Sequence, residues 1–216
     1  MGEGPNTRSQ VPGIATITFE KSFWIQSSGK FIFVNHHPGP IAPDPKGVFV
    51  MCPPFGEEKN KSQRLYVELA RSIAARGNAV YRFDYSGTAD SPGSFAEATL
   101  ADWRQNLADV IGLARAEHAG CAIGLIGLRF GCALTALAGG DIPGVRWLVH
   151  VAPAVDLPLF MKRTLREKLV KELLTDGCVS SVRQGIGQDT PRPIVDLDGF
   201  PLANGLKQEL MDLRVL

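Results

Sequence analysis

Apolar positions along the chain follow two alternating patterns. Short runs rich in Ile, Phe, Val and Thr occupy residues 14–19, 23–25 and 30–34, separated by polar or glycine-containing turns. They predict antiparallel strands at one edge of a sheet. A proline-rich connection over 38–45 leads into Val48-Phe49-Val50-Met51, an unbroken apolar run expected where both faces of a strand are covered. From Lys61 the period becomes 3.6, with Leu65, Leu69 and Ile73 on one stripe and Gly77 where a helix ends on glycine. The cycle repeats with a strand over 79–83, a turn-rich loop over 84–93, and a helix opened by the capping box Thr99-Leu100-Ala101-Asp102. Its apolar stripe is Leu100, Trp103, Leu107, Val110, Ile111 and Ala114. A third cycle places a strand over 122–126, a turn over 127–131 and a helix of small residues, followed by a strand over 145–151.

Strands alternating with helices at these lengths call for parallel pairing and right-handed crossovers, so the expected fold class is α/β: a doubly wound, mostly parallel sheet with antiparallel N-terminal strands. Beyond Pro153 the alternation stops. An amphipathic helix over 159–174, irregular sequence containing Gly and Pro, and a short terminal helix resemble a cap. The division expected is a flexible N-terminus over 1–13, the core over 14–157, and a cap-like helical segment and tail over 158–216.

Composition narrows this picture only a little. With 216 residues and 44% apolar content, one domain with a single core and a small appendage is expected. The net charge of +1, from 23 basic and 22 acidic residues, provides no field that would recruit nucleic acid. Cys52, Cys121, Cys132 and Cys178 form no C-x-x-C pair and have no histidine at zinc spacing, so reduced thiols and no metal are expected. The first residues lack the apolar run of a secretory signal, and no stretch approaches the roughly 20 apolar residues that span a bilayer. A soluble, cytoplasmic protein without a cofactor is the expectation. No phosphate-binding glycine loop is present, and Gly185-Ile186-Gly187 lacks a strand-to-helix setting.

In an open α/β sheet, sites form beyond the carboxyl ends of the strands, which directs attention to the loops after Met51, Phe83 and Ile126. The last is Gly127-Leu128-Arg129-Phe130-Gly131, with the G-x-S-x-G spacing of a nucleophile elbow and arginine at its centre. The flanking Gly127 and Gly131 suit a tight turn that pushes the central side chain out over the sheet. Arginine carries only donors and stays protonated, so it serves neither as nucleophile nor as general base. A cation facing a helix N-terminus calls for an acidic partner. Glu57 and Glu58 are the candidates, in the loop Pro53-Pro54-Phe55-Gly56-Glu57-Glu58-Lys59-Asn60-Lys61-Ser62. The binding set read here is Arg129, Glu57, Glu58 and Asn60, with backbone N–H groups of Phe55 and Phe130 as an oxyanion hole. A solvated loop face is the competing reading of the glutamates.

Asp84, at the end of a strand, suits a structural acid that ties loops together. Cys132, just past the elbow, reads as a packing residue; Ser86 and Ser91 lack an identifiable base. Among the histidines, His36 and His37 precede the core, His118 follows a surface helix, and His150 lies within a strand read as buried. None stands after a late strand, where a triad imidazole belongs. The helix over 159–174 carries a basic face of Lys162, Arg163, Arg166, Lys168 and Lys171, a candidate surface for a membrane or a protein partner.

Through the elbow, the oxyanion loop and the Asp84-x-x-Gly87-x-x-x-Ser91 turn, the sequence resembles the α/β-hydrolase superfamily. It is most similar to the exosortase A system-associated hydrolases, bacterial proteins encoded with exopolysaccharide and protein-sorting genes. The stretches that carry this are 54–62, Gly127-Leu128-Arg129, and Asp196-Leu197-Asp198-Gly199-Phe200-Pro201-Leu202, within a resemblance covering 47–213. It implies that one subfamily carries Gly-Leu-Arg where its sister keeps Gly-x-Ser. It implies also that the chain stops near where the last strands of the fold, with the catalytic acid and histidine, would begin, as a fragment or as a naturally shortened form.

Three functions remain open at this point. The first is a non-catalytic or non-standard hydrolase homologue that binds or scaffolds in an exopolysaccharide or protein-sorting pathway. The second is an active esterase, thioesterase or peptidase with a relocated nucleophile. The third is a small-anion module centred on Arg129. The ligand expected is a small molecule, acyl or carboxylate in character.

Overall fold

The computed structural model describes residues 20–39, 45–154, 156–176, 194–197 and 199–213. The strand expected over 14–19, Cys178 and the residues after Leu213 lie outside them.

The parallel part of the sheet is built from β3 (Val48–Cys52), β4 (Ala79–Phe83), β5 (Ile123–Leu128) and β6 (Val145–Val151). β1 (Lys21–Ser27) and β2 (Lys30–His37) form an antiparallel hairpin beside β4, giving the order β1-β2-β4-β3-β5-β6. The crossovers are α1 (Gly56–Ala74), α2 (Leu100–Glu117) and α3 (Gly131–Asp141). A 3-10 turn, Phe95–Glu97, precedes α2. The expected doubly wound, mostly parallel sheet is what the chain forms.

Alternation along the strands divides the interior into two layers. Val48 and Val50, Tyr81 and Phe83, and Ile123 and Leu125 face α2 and α3, while Met51, Val80, Ile126 and Leu128 face Tyr66, Ala70 and Ala74 of α1. The sheet thus buries two apolar clusters, because a central strand has two faces to cover.

Four expectations need correction. α1 begins at Gly56, five residues before the apolar period is legible, and its buried stripe is Tyr66, Ala70 and Ala74; Leu65 is 60% exposed. β2 runs on to His37, so His36 and His37 sit inside the sheet and are buried. His150 is exposed, since β6 has β5 as its sole neighbour among the described residues; Trp147, Leu148 and Val149 are exposed with it. Finally, the segment after α4 (Leu157–Asp176), read as irregular, contains a hairpin of β7 (Ile194–Leu197) and β8 (Phe200–Ala203) leading into α5 (Asn204–Asp212). The sequence signal was Asp198-Gly199, the pair that favours a two-residue hairpin turn.

These C-terminal elements pack into the main core. Leu157, Met161, Leu197, Leu202, Leu206 and Leu210 are buried in the cluster that holds Phe55 and Trp103. Phe200 lies 5.6 Å from the Phe95 ring, and Glu209 Oε2 accepts a 2.7 Å hydrogen bond from the Leu100 N–H at the start of α2.

Candidate functional site

The turn between β5 and α3 is strained in the way an elbow requires. Arg129 has φ +54°, a left-handed backbone that costs a residue with a side chain about 1–3 kcal/mol. Its N–H donates to the Val151 carbonyl at 3.0 Å, and its own carbonyl accepts from the Cys132 N–H at 3.1 Å. Both flanking glycines are sterically obligatory. A Cβ on Gly131 would stand 2.1 Å from the Cys52 carbonyl oxygen, and one on Gly127 would meet the Cys132 backbone at 2.5 Å. The close approach of α3 to the end of β3 presents residue 129 at the carboxyl edge of the sheet.

The guanidinium at that apex is engaged on every nitrogen. Nε donates to Glu58 Oε1 at 2.9 Å, and one terminal nitrogen lies 2.8 Å from the same oxygen. The other donates to the Ala152 carbonyl at 3.2 Å, while the group sits 5.5 Å above the Phe160 ring of α4. Glu58 Oε2 is buried and has no hydrogen-bond partner among the described residues. The pair is about one-third exposed on each side, so its attraction is screened and worth on the order of 1 kcal/mol.

Glu57, one position away, turns outward and pairs with Lys61 at 3.1 Å on the exposed face of α1. Asn60 is exposed. The structure therefore joins Arg129 to Glu58 and leaves Glu57 and Asn60 outside that contact. Phe55 and Phe130 lie beneath the apex with ring centroids 4.9 Å apart, and Trp103 is 5.6 Å from each. Neither Phe55 N–H nor Phe130 N–H has a protein acceptor among the described residues.

Asp84 closes the neighbouring loop. Its Oδ1 pairs with Lys59, a buried lysine that the sequence reading passed over, and its Oδ2 accepts from the Asp90 N–H at 3.2 Å. Ser91 donates to the Asp84 carbonyl at 2.7 Å and accepts from the Phe33 N–H at 2.8 Å; it stitches the loop to β2. Ser86 is buried, its hydroxyl held at 3.1 Å by Asn106 Oδ1. Neither serine contacts an imidazole. Cys132 donates to the Gly127 carbonyl at 3.1 Å, and burial pushes its thiol pKa up, which favours the protonated form over a nucleophilic thiolate. His150 Nε2 is 3.1 Å from the Thr135 hydroxyl, itself anchored to the first turn of α3.

A cleft of about 440 Å³ opens beside the ion pair, between the start of α1 and α4. Phe55, Glu57, Glu58, Phe160, Lys168 and Leu197 are among its walls. Lys168, assigned from sequence to the solvated basic face, is buried here, whereas Lys162, Arg163, Arg166 and Lys171 are exposed. Helix α4 made this difference, since periodicity alone does not say which face meets the core.

A parallel sheet with a hairpin at one edge, crossed on both faces by helices and presenting a strained strand-to-helix apex between two obligatory glycines, is the α/β-hydrolase fold. The description of the serine aminopeptidase S33 family matches residues 43–183, more than half of the chain, and the protein belongs to that family. No curated protein matches the chain in sequence. Among solved structures, it is similar to the ferulic acid-bound Est1E of Butyrivibrio proteoclasticus, with 18% identity and a TM-score of 0.67 over 89% of this chain and 72% of that one. It is also similar to XC6422 of Xanthomonas campestris, an α/β serine hydrolase without a lid. There the identity is 20% and the TM-score 0.55, over 66% of this chain and 65% of that one. An α/β serine hydrolase homologue of Coxiella burnetii gives 23% and 0.54, over 64% and 65%. The chain thus spans just under two thirds of the length of the last two. No helix among the described residues is long and apolar enough to cross a membrane.

Proposed function

We propose that this S33-family chain does not perform serine hydrolysis at its elbow and instead uses the cleft beside it to bind a ligand or partner. The observation that carries this reading is Arg129 at the apex, locked by Glu58 in the place where acyl transfer needs a removable proton. The nearby hydroxyls and thiol offer no substitute, because Ser86, Ser91 and Cys132 are each committed to backbone or amide partners. A small-anion role is less well served. The Arg129 guanidinium is already paired with Glu58, and Glu58 Oε2, which has no hydrogen-bond partner among the described residues, is an acceptor that favours a ligand with an N–H or O–H to donate. Similarity of the 54–62, 127–129 and 196–202 stretches to the exosortase-associated hydrolases supports a binding or scaffolding part in exopolysaccharide or protein sorting. The proposal places this role in the cytoplasm.

Purified protein is expected to resist labelling by a fluorophosphonate probe and to leave p-nitrophenyl acyl esters unhydrolysed. Ester turnover that disappears on Ser86→Ala, Ser91→Ala or Cys132→Ala would instead identify a relocated nucleophile and defeat this reading.

A further inference from the structure

At the opposite end of the sheet from the elbow, three side chains that are distant in sequence come together. His36 is the penultimate residue of β2, Glu117 the last residue of α2, and His118 its C-cap. One ring nitrogen of each histidine and a carboxylate oxygen of Glu117 all lie within 4.8 Å of one another. We propose that His36, Glu117 and His118 form a binding site for a divalent transition metal of the zinc type, bridging β2 and the C-terminal end of α2.

Two imidazoles and one carboxylate suit zinc, and they discriminate against magnesium and calcium, which prefer all-oxygen shells. Zinc bonds of about 2.0–2.1 Å place tetrahedral ligands roughly 3.3 Å apart, so the widest separation in the cluster, at most 4.8 Å, needs to contract by up to about 1.5 Å. Glu117 is exposed at a helix end and has the freedom to do so. The independent observation is His36: only 8% exposed, it leaves Nε2 buried with no hydrogen-bond partner among the described residues. A buried imidazole nitrogen without a partner is an unmet cost that a metal bond relieves.

The surroundings orient these groups. His36 stacks on Tyr81 with ring centroids 4.3 Å apart and planes 5° from parallel, which fixes the imidazole plane. The Tyr81 hydroxyl bonds to Glu117 and lies 3.0 Å from His118 Nε2, so it can hold the carboxylate once His118 turns to the ion. Glu117 and His118 also stand at the C-terminal end of α2, where the helix dipole favours a cation. Lys21, opposite His36 in the β1–β2 register, opposes it, but is exposed and screened by water. Three protein ligands leave a fourth position for water.

The test uses the full chain, stripped with a chelator and titrated with zinc chloride by calorimetry, alongside Glu117→Gln and His118→Ala. These two positions lie outside the fully buried core, and circular dichroism of the metal-free proteins verifies their fold. One zinc per chain is expected, with affinity reduced at least tenfold in each variant. At about 100 times the dissociation constant, zinc should raise the melting temperature of the parent by roughly 5–10 °C, with a smaller rise in the variants. Magnesium should do neither. Cobalt in place of zinc should show d–d bands without thiolate charge transfer. Absence of zinc binding, equal affinity in parent and variants, or a thiolate band would overturn the proposal.

Discussion

Arg129 and Glu58 illustrate how far the chemistry of one side chain leads. A permanent cation in front of a helix N-terminus calls for an acid, and the sequence alone offers the 57–58 pair for it. It did not choose between them. Successive helical residues point about 100° apart, so the choice depends on where α1 starts, and Gly56 rather than Lys61 opens it. With the start known, Glu58 turns to the apex and Glu57 to Lys61. Glu58→Gln is expected to lower unfolding free energy in urea by roughly 1 kcal/mol, whereas Glu57→Gln should stay within about 0.5 kcal/mol of the parent. Equal effects would mean that the arginine is not held by Glu58 in solution.

Legibility among the helices and strands followed how strongly local pattern and tertiary packing agree. Every apolar residue assigned to the stripe of α2 is buried, and Thr99 accepts from the Asp102 N–H at 3.0 Å as its capping signature implies. α1 is less regular: Gly56 and buried Lys59 begin it, and neither belongs to an apolar repeat. The bounds of β6 follow from its apolar run, yet its exposure depends on having one neighbour instead of two among the described residues, which no local pattern encodes. The start of α2 gains a second cap from far away, the Glu209 carboxylate on the Leu100 N–H. Thr99→Ala should cost about 1 kcal/mol, and Glu209→Ala a comparable amount, because each leaves a first-turn N–H without its acceptor. Thermal melts of the two single variants and the double provide the check; an unaffected Glu209→Ala would show that α5 does not dock on α2.

Taken as one body, the protein buries acidic protons deeply. Burial pushes the Cys52 thiol up to about 12 and raises the Tyr66 and Tyr85 phenols well above their usual value. The folded state therefore keeps protons that the unfolded chain releases from about pH 9 upward, so these groups contribute their full stability below that pH and lose it as the pH rises. Urea unfolding should be nearly constant from pH 7 to 8.5 as far as these groups contribute, then weaken steeply. Tyrosinate absorbance for at least two of the three tyrosines should appear only together with unfolding. Gradual titration of all three near pH 10 in a folded protein would contradict this burial. The alternation of strands and helices, the strained apex at Arg129 and its need for an acid were all readable along the chain, because hydrophobic period and turn chemistry act over a few residues. The identity of Glu58 as partner, the exposure of β6, the β7–β8 hairpin on Phe95 and the meeting of His36 with Glu117 and His118 were not. Those depend on which faces and ends long-range packing brings together, a relation between segments rather than a property of any one of them.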